Sequence, residues 1–548
     1  MGAGHAGRVT PAGRAADRGN PPRCGRDAAE VGNAHSMPNN AALPGAAESY
    51  WMSSTDTTRF APVTDDVTVD VAVVGGGIAG LSAAWEVAEA GRSVAVVEAD
   101  RIAAGVSGHT TAKLTAQHGL VYERLRRTRG KDGARLYARS QQEAVERVAE
   151  LAGILGIDCA FERTSAFAYT SDQDAVGALK AEAVAAREAG LAAEYVEQCD
   201  LPFAVAGAVR IDGQAQFHPR AYLLGLAAAL VARGGTIYER SRVTGLTEGE
   251  PCHVTTESGA RLTARDVVVA TGYPVFDRAL LFARLSPRRE LVVAAPLDAA
   301  AAPQGMYITE EEGKRSVRTA PLPDGRRLLI VTGESFTPGD GHAAERFRRL
   351  DAWMHERFPV AETAYRWAAQ DNDPTDTVAL VGPLHAGARH AFVATGFGGW
   401  GMSGGVMSGR LLSELIHGRR PAWADLYHPG RIVPVLKEAP ALLRQQADVA
   451  RHFIGDRLRP AHADTVADVA PGQGAVVPVN GARCAVYRDQ DGAVHAVSAR
   501  CSHLGCLVAF NAAETTWECP CHGSRFDVDG AVLQGPAVRP LEPRATDS

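Results

Sequence analysis

No apolar stretch of this 548-residue chain approaches the roughly 18 residues that a membrane-spanning helix needs. The stretch around residues 223–231 is too short and reads as a buried helix. Charge of one sign is also missing. The net charge is −6, which gives no basic surface for nucleic acid. Residues 1–48 carry arginines but no apolar h-region, so they do not read as a secretory leader. They also have few large apolar side chains and are expected to be a disordered tail, with Met37 or Met52 as alternative starts. The expected location is cytoplasmic. Cysteine is scarce, at nine residues. Cys24, Cys159, Cys199, Cys252 and Cys484 are scattered and read as free thiols of a reducing compartment. There is no internal repeat, no Ser-His-Asp set and no pair of carboxylates placed for acid–base work.

The remaining four cysteines lie in the last eighty residues, in Cys501-Ser502-His503-Leu504-Gly505-Cys506 and Cys519-Pro520-Cys521-His522-Gly523-Ser524. Each loop offers a Cys, a His and a spare Cys. That is the ligand set of one Rieske-type [2Fe–2S] cluster, with Cys501 and Cys519 on one iron and neutral His503 and His522 on the other. Two ferric ions, two sulfides and two thiolates sum to zero, so the reduced cluster carries a single negative charge. An all-cysteine cluster is two units more negative in each state and harder to reduce, which is why His ligation raises the potential to roughly −150 to +300 mV. Zinc also accepts Cys and His. It would leave unexplained the spare Cys506 and Cys521, which read as occupying matching places in the two loops.

A second cofactor is legible near the other end. Residues 67–74 (VTVDVAVV) form a β-rich run that leads into Gly75-Gly76-Gly77-Ile78-Ala79-Gly80 and a helical pattern over 81–90. A second strand, 93–97, ends at Glu98. Strand, G-x-G-x-x-G turn, helix and terminal acid together make a dinucleotide-binding unit. Gly75 permits the tight turn, Gly77 admits the pyrophosphate at the helix N-terminus, and Gly80 lets helix and strand pack closely. Glu98 suits an unphosphorylated ribose. Two later segments favour FAD over NAD. Residues 267–272 (VVVATG) are a buried strand ending at Gly272. Residues 390–395 are another, followed by Gly396-Phe397-Gly398-Gly399-Trp400-Gly401 and a helix through Ile416. The second turn formally matches G-x-G-x-x-G, but no strand ending in an acid follows it, which leaves one dinucleotide site.

With 376–383 (DTVALVGP), these segments resemble the D-amino-acid-oxidase-like flavoproteins. The resemblance implies that the adenine end of FAD sits on the first turn. The amides of the second turn then face the flavin's pyrimidine end, where negative charge develops on reduction. It also implies that Ser107-Gly108-His109-Thr110-Thr111-Ala112-Lys113 runs along the pyrophosphate toward the ring, with Ser107, His109, Thr110 and Lys113 as cofactor contacts. The wording of that stretch, of 214–219 (QAQFHP) and of 519–527 (CPCHGSRFD) is similar to a smaller group of flavoproteins with a fused C-terminal Rieske domain, over roughly residues 48–540. The Rieske resemblance implies a Cys506–Cys521 disulfide, a Ser524 hydroxyl bonded to a bridging sulfide, and a shielding third loop at Gly535-Pro536-Ala537. Phe526 stands where high-potential members have Tyr. One hydrogen bond to a ligand sulfur is lost, which implies a potential in the lower or middle part of the range.

The expected fold is an α/β FAD-binding domain of glutathione-reductase-like type with an α+β substrate domain, plus a small all-β Rieske domain. The expected boundaries are 1–48 for the tail and 49–420 for the oxidoreductase. Within the latter, FAD-binding parts fall at 66–120, 212–275 and 365–420, and substrate parts at 156–211 and 276–364. A linker at 421–468 and the Rieske domain at 469–548 follow. Catalytic candidates are few. His109 and Trp400 are weak ones, Gln370-Asp371 a weaker one for the substrate cavity, and Tyr273 and His218 read as core and loop residues. The flavin carries the hard step, so no further catalytic set is required. No Cys stands where some relatives attach FAD, so the flavin is expected to be non-covalent. The expected activity is a dehydrogenase rather than an oxidase. A small amine or amino acid reduces the flavin, and electrons leave singly through the cluster to an external carrier protein. The alternatives are cluster-to-flavin flow or a non-catalytic redox sensor.

Overall fold

The computed structural model describes residues 1, 42–276, 281–311, 313–431 and 463–545. Cys24, Met37, most of the expected tail and the middle of the 421–468 linker lie outside them. Leu43–Ser548 is one compact unit.

Eight elements hold the site: β1 (Val67–Val74), α1 (Ile78–Glu89), β2 (Val94–Val97), β3 (Arg261–Gly272), β4 (Leu285–Leu297), β5 (Tyr365–Pro374), β6 (Ala391–Thr395) and α2 (Gly401–Ile416). β1, β2, β3 and β6 pair in parallel in the order β6-β3-β1-β2, within an eight-stranded sheet. The near-continuous Val/Ala runs of β2, β6 and the second half of β1 are buried throughout, as strands covered on both faces require. α1 and α2 cross closely on this sheet. A Cβ on Gly409 of α2 would stand 2.6 Å from the Ser82 carbonyl carbon of α1, so only glycine admits this approach. The crossing sets the two glycine turns, which open α1 and α2, side by side.

A nine-stranded, largely antiparallel sheet begins at β5 and β4 and continues through Arg327–Phe336 and Arg315–Pro321. Its far half contains Glu162–Thr170, Gly207–Gln216 and the short strand Lys113–Leu114. Residues 212–216 and 365–374, assigned from sequence to FAD-binding parts, therefore belong to the second sheet. β5 reaches from this sheet to the flavin turn, which is why its sequence reads like part of the flavin domain. The helix Val121–Ile154 is two helices across a kink at Gly130 (φ 74°). Residues 473–534 form a three-stranded and a four-stranded antiparallel sheet, the all-β domain expected. Among the described residues no helix is long and apolar enough to cross a membrane.

Candidate functional site

The first glycine turn has the shape its sequence implies. Gly75 has φ 109°, and a Cβ there would lie 2.5 Å from the Ala270 carbonyl oxygen of β3. A Cβ on Gly80 would lie 1.9 Å from the Gly75 oxygen, so the first turn of α1 rests directly on the loop. Glu98 accepts the Gly76 N–H at 2.7 Å and the Asp100 N–H at 3.0 Å, which fixes its carboxylate at the end of β2. Ser107 Oγ accepts the Ile78 N–H at 3.0 Å, and a Cβ on Gly77 would meet that oxygen at 3.2 Å. A helix N-terminus, a side-chain-free approach and an anchored acid are what a dinucleotide's pyrophosphate and ribose require.

The second turn is pinned to β5. Gly398 donates its N–H to the Asn372 carbonyl at 3.2 Å, and Gly399 donates to Asp371 Oδ2 at 2.6 Å. Gly396, Gly398 and Gly399 have φ of 70°, 59° and 90°. Gly272, at the end of β3, accepts the Thr395 hydroxyl. Trp400 stacks on His118, with centroids 4.6 Å apart and an interplanar angle of 17°. His118 touches Thr115, Tyr137 and Ser403, and burial holds it down to about 3, so the imidazole is a neutral platform. Nothing in the sequence marks His118 out from other histidines.

Between this turn and the nine-stranded sheet lies a cleft lined by Thr110, Lys113, Arg288, Glu290, Ser316 and Trp400, among others. Arg288 clamps Asp373 through Nε at 2.7 Å and Nη2 at 3.1 Å, and also pairs with Glu290. Its charge is thereby matched within the protein. Lys113 has hydroxyl partners, Thr111 at 3.1 Å and Ser316, and no carboxylate among its hydrogen bonds. Burial, with Arg318 nearby, brings its ammonium down to about 7. His109 is not part of the lining. Its Nδ1 lies 2.9 Å from the Gly105 oxygen and its carbonyl accepts Trp367 Nε1 at 2.8 Å, so it braces the loop. His218 caps a helix, accepting the Ala221 N–H at 3.1 Å. Gln370 and Asp371 do not line the cleft either. Asp371 holds the flavin turn, and Gln370 reaches the other way.

The cluster loops share one backbone plan. Cys501 N–H donates to the Cys506 oxygen at 2.8 Å and Gly505 N–H to the Cys501 oxygen at 2.9 Å. Cys519 N–H donates to the Ser524 oxygen at 2.8 Å and Gly523 N–H to the Cys519 oxygen at 2.9 Å. Gly505 and Gly523, each fifth in its loop, have φ of 76° and 77°. The loops are therefore equivalent position by position, which corrects one expectation. Cys506 is sixth and matches Ser524, whereas Cys521 is third and matches His503. The Cys506–Cys521 disulfide joins unlike positions, because the histidine stands third in one loop and fourth in the other.

The two His rings lie 5.1 Å apart at 90°. Nδ1 of His503 and both ring nitrogens of His522 are buried with no hydrogen-bond partner among the described atoms. The Cys501 and Cys519 thiols face one another. The contact with Cys519 lowers Cys501 to about 7, and Cys519 is pushed up. The sulfurs of Cys506, Cys519 and Cys521 cluster within 4.8 Å, but two of the three are bonded to each other. Unpartnered imidazole nitrogens beside two thiols are the donor set of a two-Cys, two-His iron–sulfur cluster. Ser524 is buried, hydrogen-bonds Cys501 and accepts the Ala537 N–H at 3.0 Å, which ties the third loop to the second.

The Rieske-like domain is docked on the rest of the chain through charge. Arg289 of β4 is 0% exposed and pairs with Glu514, with Glu518 at 3.5 Å. Arg525 lies 3.2 Å from Glu514 and 3.4 Å from Glu518. Asn511 Nδ2 donates to both carboxylates, and the Gly339 N–H donates to Glu518 at 2.9 Å. His522, 2% exposed, packs against Tyr273 and Phe282 with ring centroids 6.0 and 5.7 Å away. Gln370 Nε2 donates to the Gly523 oxygen at 2.8 Å. From sequence Tyr273 reads as a core residue, and nothing there shows that the His522 ring packs against it.

These features define a flavin-dependent oxidoreductase joined to an iron–sulfur domain, and comparison with known proteins agrees. The FAD dependent oxidoreductase family matches residues 70–415, and the Rieske [2Fe-2S] domain matches 460–544. The chain belongs to that oxidoreductase family and carries a C-terminal Rieske domain; its cofactors are FAD and a [2Fe–2S] cluster. It is 32% identical over 501 residues to YhfW of Bacillus subtilis (strain 168), named as a Rieske 2Fe-2S iron-sulfur protein, covering 91% of this chain and 97% of that one. It is 30% identical over 230 residues to gamma-glutamylputrescine oxidoreductase of Escherichia coli (strain K12), covering 40% of this chain and 53% of the other. In fold it is similar to glycine oxidase from Geobacillus kaustophilus, with a TM-score of 0.56 and 22% identity over 67% of this chain and 100% of that one. L-proline dehydrogenase from P. horikoshii also gives 0.56, at 18% identity over 67% and 98%.

Proposed function

We propose that this chain is a dehydrogenase that oxidises a small amine or amino acid and passes the electrons singly from FAD to the Rieske cluster. FAD, when bound, takes two electrons from the substrate and gives them up one at a time. The observation that carries the reading is the position of His522. This ligand candidate is buried against Tyr273, next to Gly272 at the end of β3, inside the FAD-binding domain. In this reading Cys501, Cys519, His503 and His522 hold the cluster. Gly75, Gly77, Gly80, Glu98, Ser107, Thr110, Lys113, Gly272, Gly396, Gly398 and Gly401 hold FAD without a covalent bond.

The cleft favours a substrate that carries a carboxylate. Arg288 is matched by Asp373 and Glu290, and Lys314 by Glu310 at 3.2 Å, which leaves Lys113 as the lining cation without a carboxylate hydrogen bond. Electrons leave at the other side of the cluster. His503 is half-buried and followed by Leu504, 46% exposed, which offers an external one-electron carrier an edge to meet. A cytoplasmic setting belongs to the same reading. Anaerobic stopped-flow mixing with glycine, L-proline and simple amines tests it. The expected result is flavin bleaching, then cluster reduction, with little oxygen consumed in air. Flavin that no amine or amino acid bleaches, or fast turnover with dioxygen that bypasses the cluster, would overturn it.

A further inference from the structure

β5 is the wall between the two cofactor sites. Its consecutive residues Gln370 and Asp371 project to opposite faces, as strand residues do. Asp371 holds the flavin turn through the Gly399 N–H at 2.6 Å, and Gln370 holds the cluster loop through the Gly523 oxygen at 2.8 Å. Gln370 is 3% exposed. The fit around Gly523 is tight. A Cβ there would stand 2.4 Å from Gln370 Nε2 and 2.7 Å from Pro287 Cβ.

The Gly523 carbonyl only accepts, so it fixes the amide's orientation and turns Oε1 away from it. Gln370 Oε1 is buried with no partner among the described atoms. So is Asn372 Oδ1, two residues along and hence on the same face of β5. Next to Gly523 is His522, whose two ring nitrogens are buried and likewise unpartnered. A buried acceptor and a buried donor left without partners are each costly, so the two are driven to meet. An imidazole bound to iron through one nitrogen carries N–H on the other, and such an N–H is nearly always given to an oxygen.

We propose that Gln370 is a positioning residue for electron transfer between flavin and cluster: its N–H holds the Gly523 carbonyl, and its Oε1 accepts the free ring N–H of iron-bound His522. His522 is then the inner edge of the cluster, fixed against the flavin domain, and His503 is the outer one. The inference rests on the flavin–cluster pairing proposed above. The step it serves moves one electron from reduced flavin to one ferric ion and makes no bond.

The test uses the full chain with both cofactors loaded and electrons delivered to the flavin by photoexcited deazaflavin. No substrate is involved, so failure of the amine reading and failure of this one are distinguishable. Gln370→Leu removes both hydrogen bonds at similar length. The flavin-to-cluster rate is expected to fall at least about tenfold, a usual cost of removing the outer partner of a metal-bound imidazole. The cluster potential, followed by EPR-monitored titration, is expected to rise, because an N–H···O bond pushes electron density onto the iron and favours the ferric state. Gln370→Glu restores an acceptor and is expected to bring the potential back down. If the Leu chain does not load its cluster, Gln370→Met serves in its place. A wild-type rate and potential in the Leu or Met chain would overturn the proposal. So would a Glu variant whose potential moves in the same direction as the Leu variant's.

Discussion

Replacing Arg289 by Ala removes one of two cations that face two carboxylates at the domain interface. Arg289 is 0% exposed, and its partners are Glu514 and Glu518, the latter at 3.5 Å. At an effective dielectric of about 20, a pair at that distance attracts by roughly 4–5 kcal/mol before desolvation is subtracted. Breaking a buried pair by deleting one partner costs about 3–5 kcal/mol, because the other charge stays buried and unmatched. Here Arg525 remains 3.2 Å from Glu514 and 3.4 Å from Glu518 and shares the load. The lower figure, about 3 kcal/mol, is therefore expected, or roughly a hundredfold in the docking equilibrium. Limited proteolysis within residues 421–468, with urea unfolding followed by flavin and cluster absorbance, reads this out. The Arg289→Ala chain should be cut faster and lose its cluster signal at lower urea. A chain as resistant as wild type, with an unchanged midpoint, would refute the view that this ion network fastens the Rieske domain.

Three further outcomes are expected. Cys506→Ser opens a loop of sequence separation 15, which in the chain-entropy account costs about 3 kcal/mol; the cluster's EPR signal should then be lost at a lower temperature. Phe526→Tyr, at a buried position packed with the cluster cysteines, supplies the missing hydroxyl. It should raise the cluster potential by on the order of 60 mV, the one-electron equivalent of a hydrogen bond of about 1.4 kcal/mol. Asp371 is pushed up to about 6 by burial, so the folded chain holds this proton more tightly than the unfolded one. Its contribution to stability is present below about pH 4 and lost as pH rises through 6. The melting temperature of Asp371→Asn should fall less than that of wild type over this window, and parallel curves would contradict the assignment.

The sequence carries the local parts of the site because those parts are local in cause. A turn needing φ 109° at Gly75 and contact at Gly80 leaves glycine as its signature. Cluster ligands must be Cys and His at short spacing, and the strand runs 71–74 and 391–395 are covered on both faces. What joins these parts is not local. Arg289 meets Glu514 across 225 residues, and no periodicity or motif marks such a pair. Gln370 and Asp371 look like candidates for a substrate cavity because polar residues stand near the flavin turn. They are polar for another reason, since each anchors a different cofactor loop from one strand. Equivalence of the cluster loops is hidden for a related cause: cysteines compared by chemistry align differently from residues compared by backbone hydrogen bonds.

On the proposed function, flavin and cluster exchange electrons inside one chain across β5. Flash reduction of the flavin at several protein concentrations, with cluster reduction followed at the iron–sulfur absorption, tests it most directly. The expected result is a first-order transfer whose rate does not change with protein concentration. A rate that climbs in proportion to concentration, or a cluster that stays oxidised while the flavin is reduced, would contradict it.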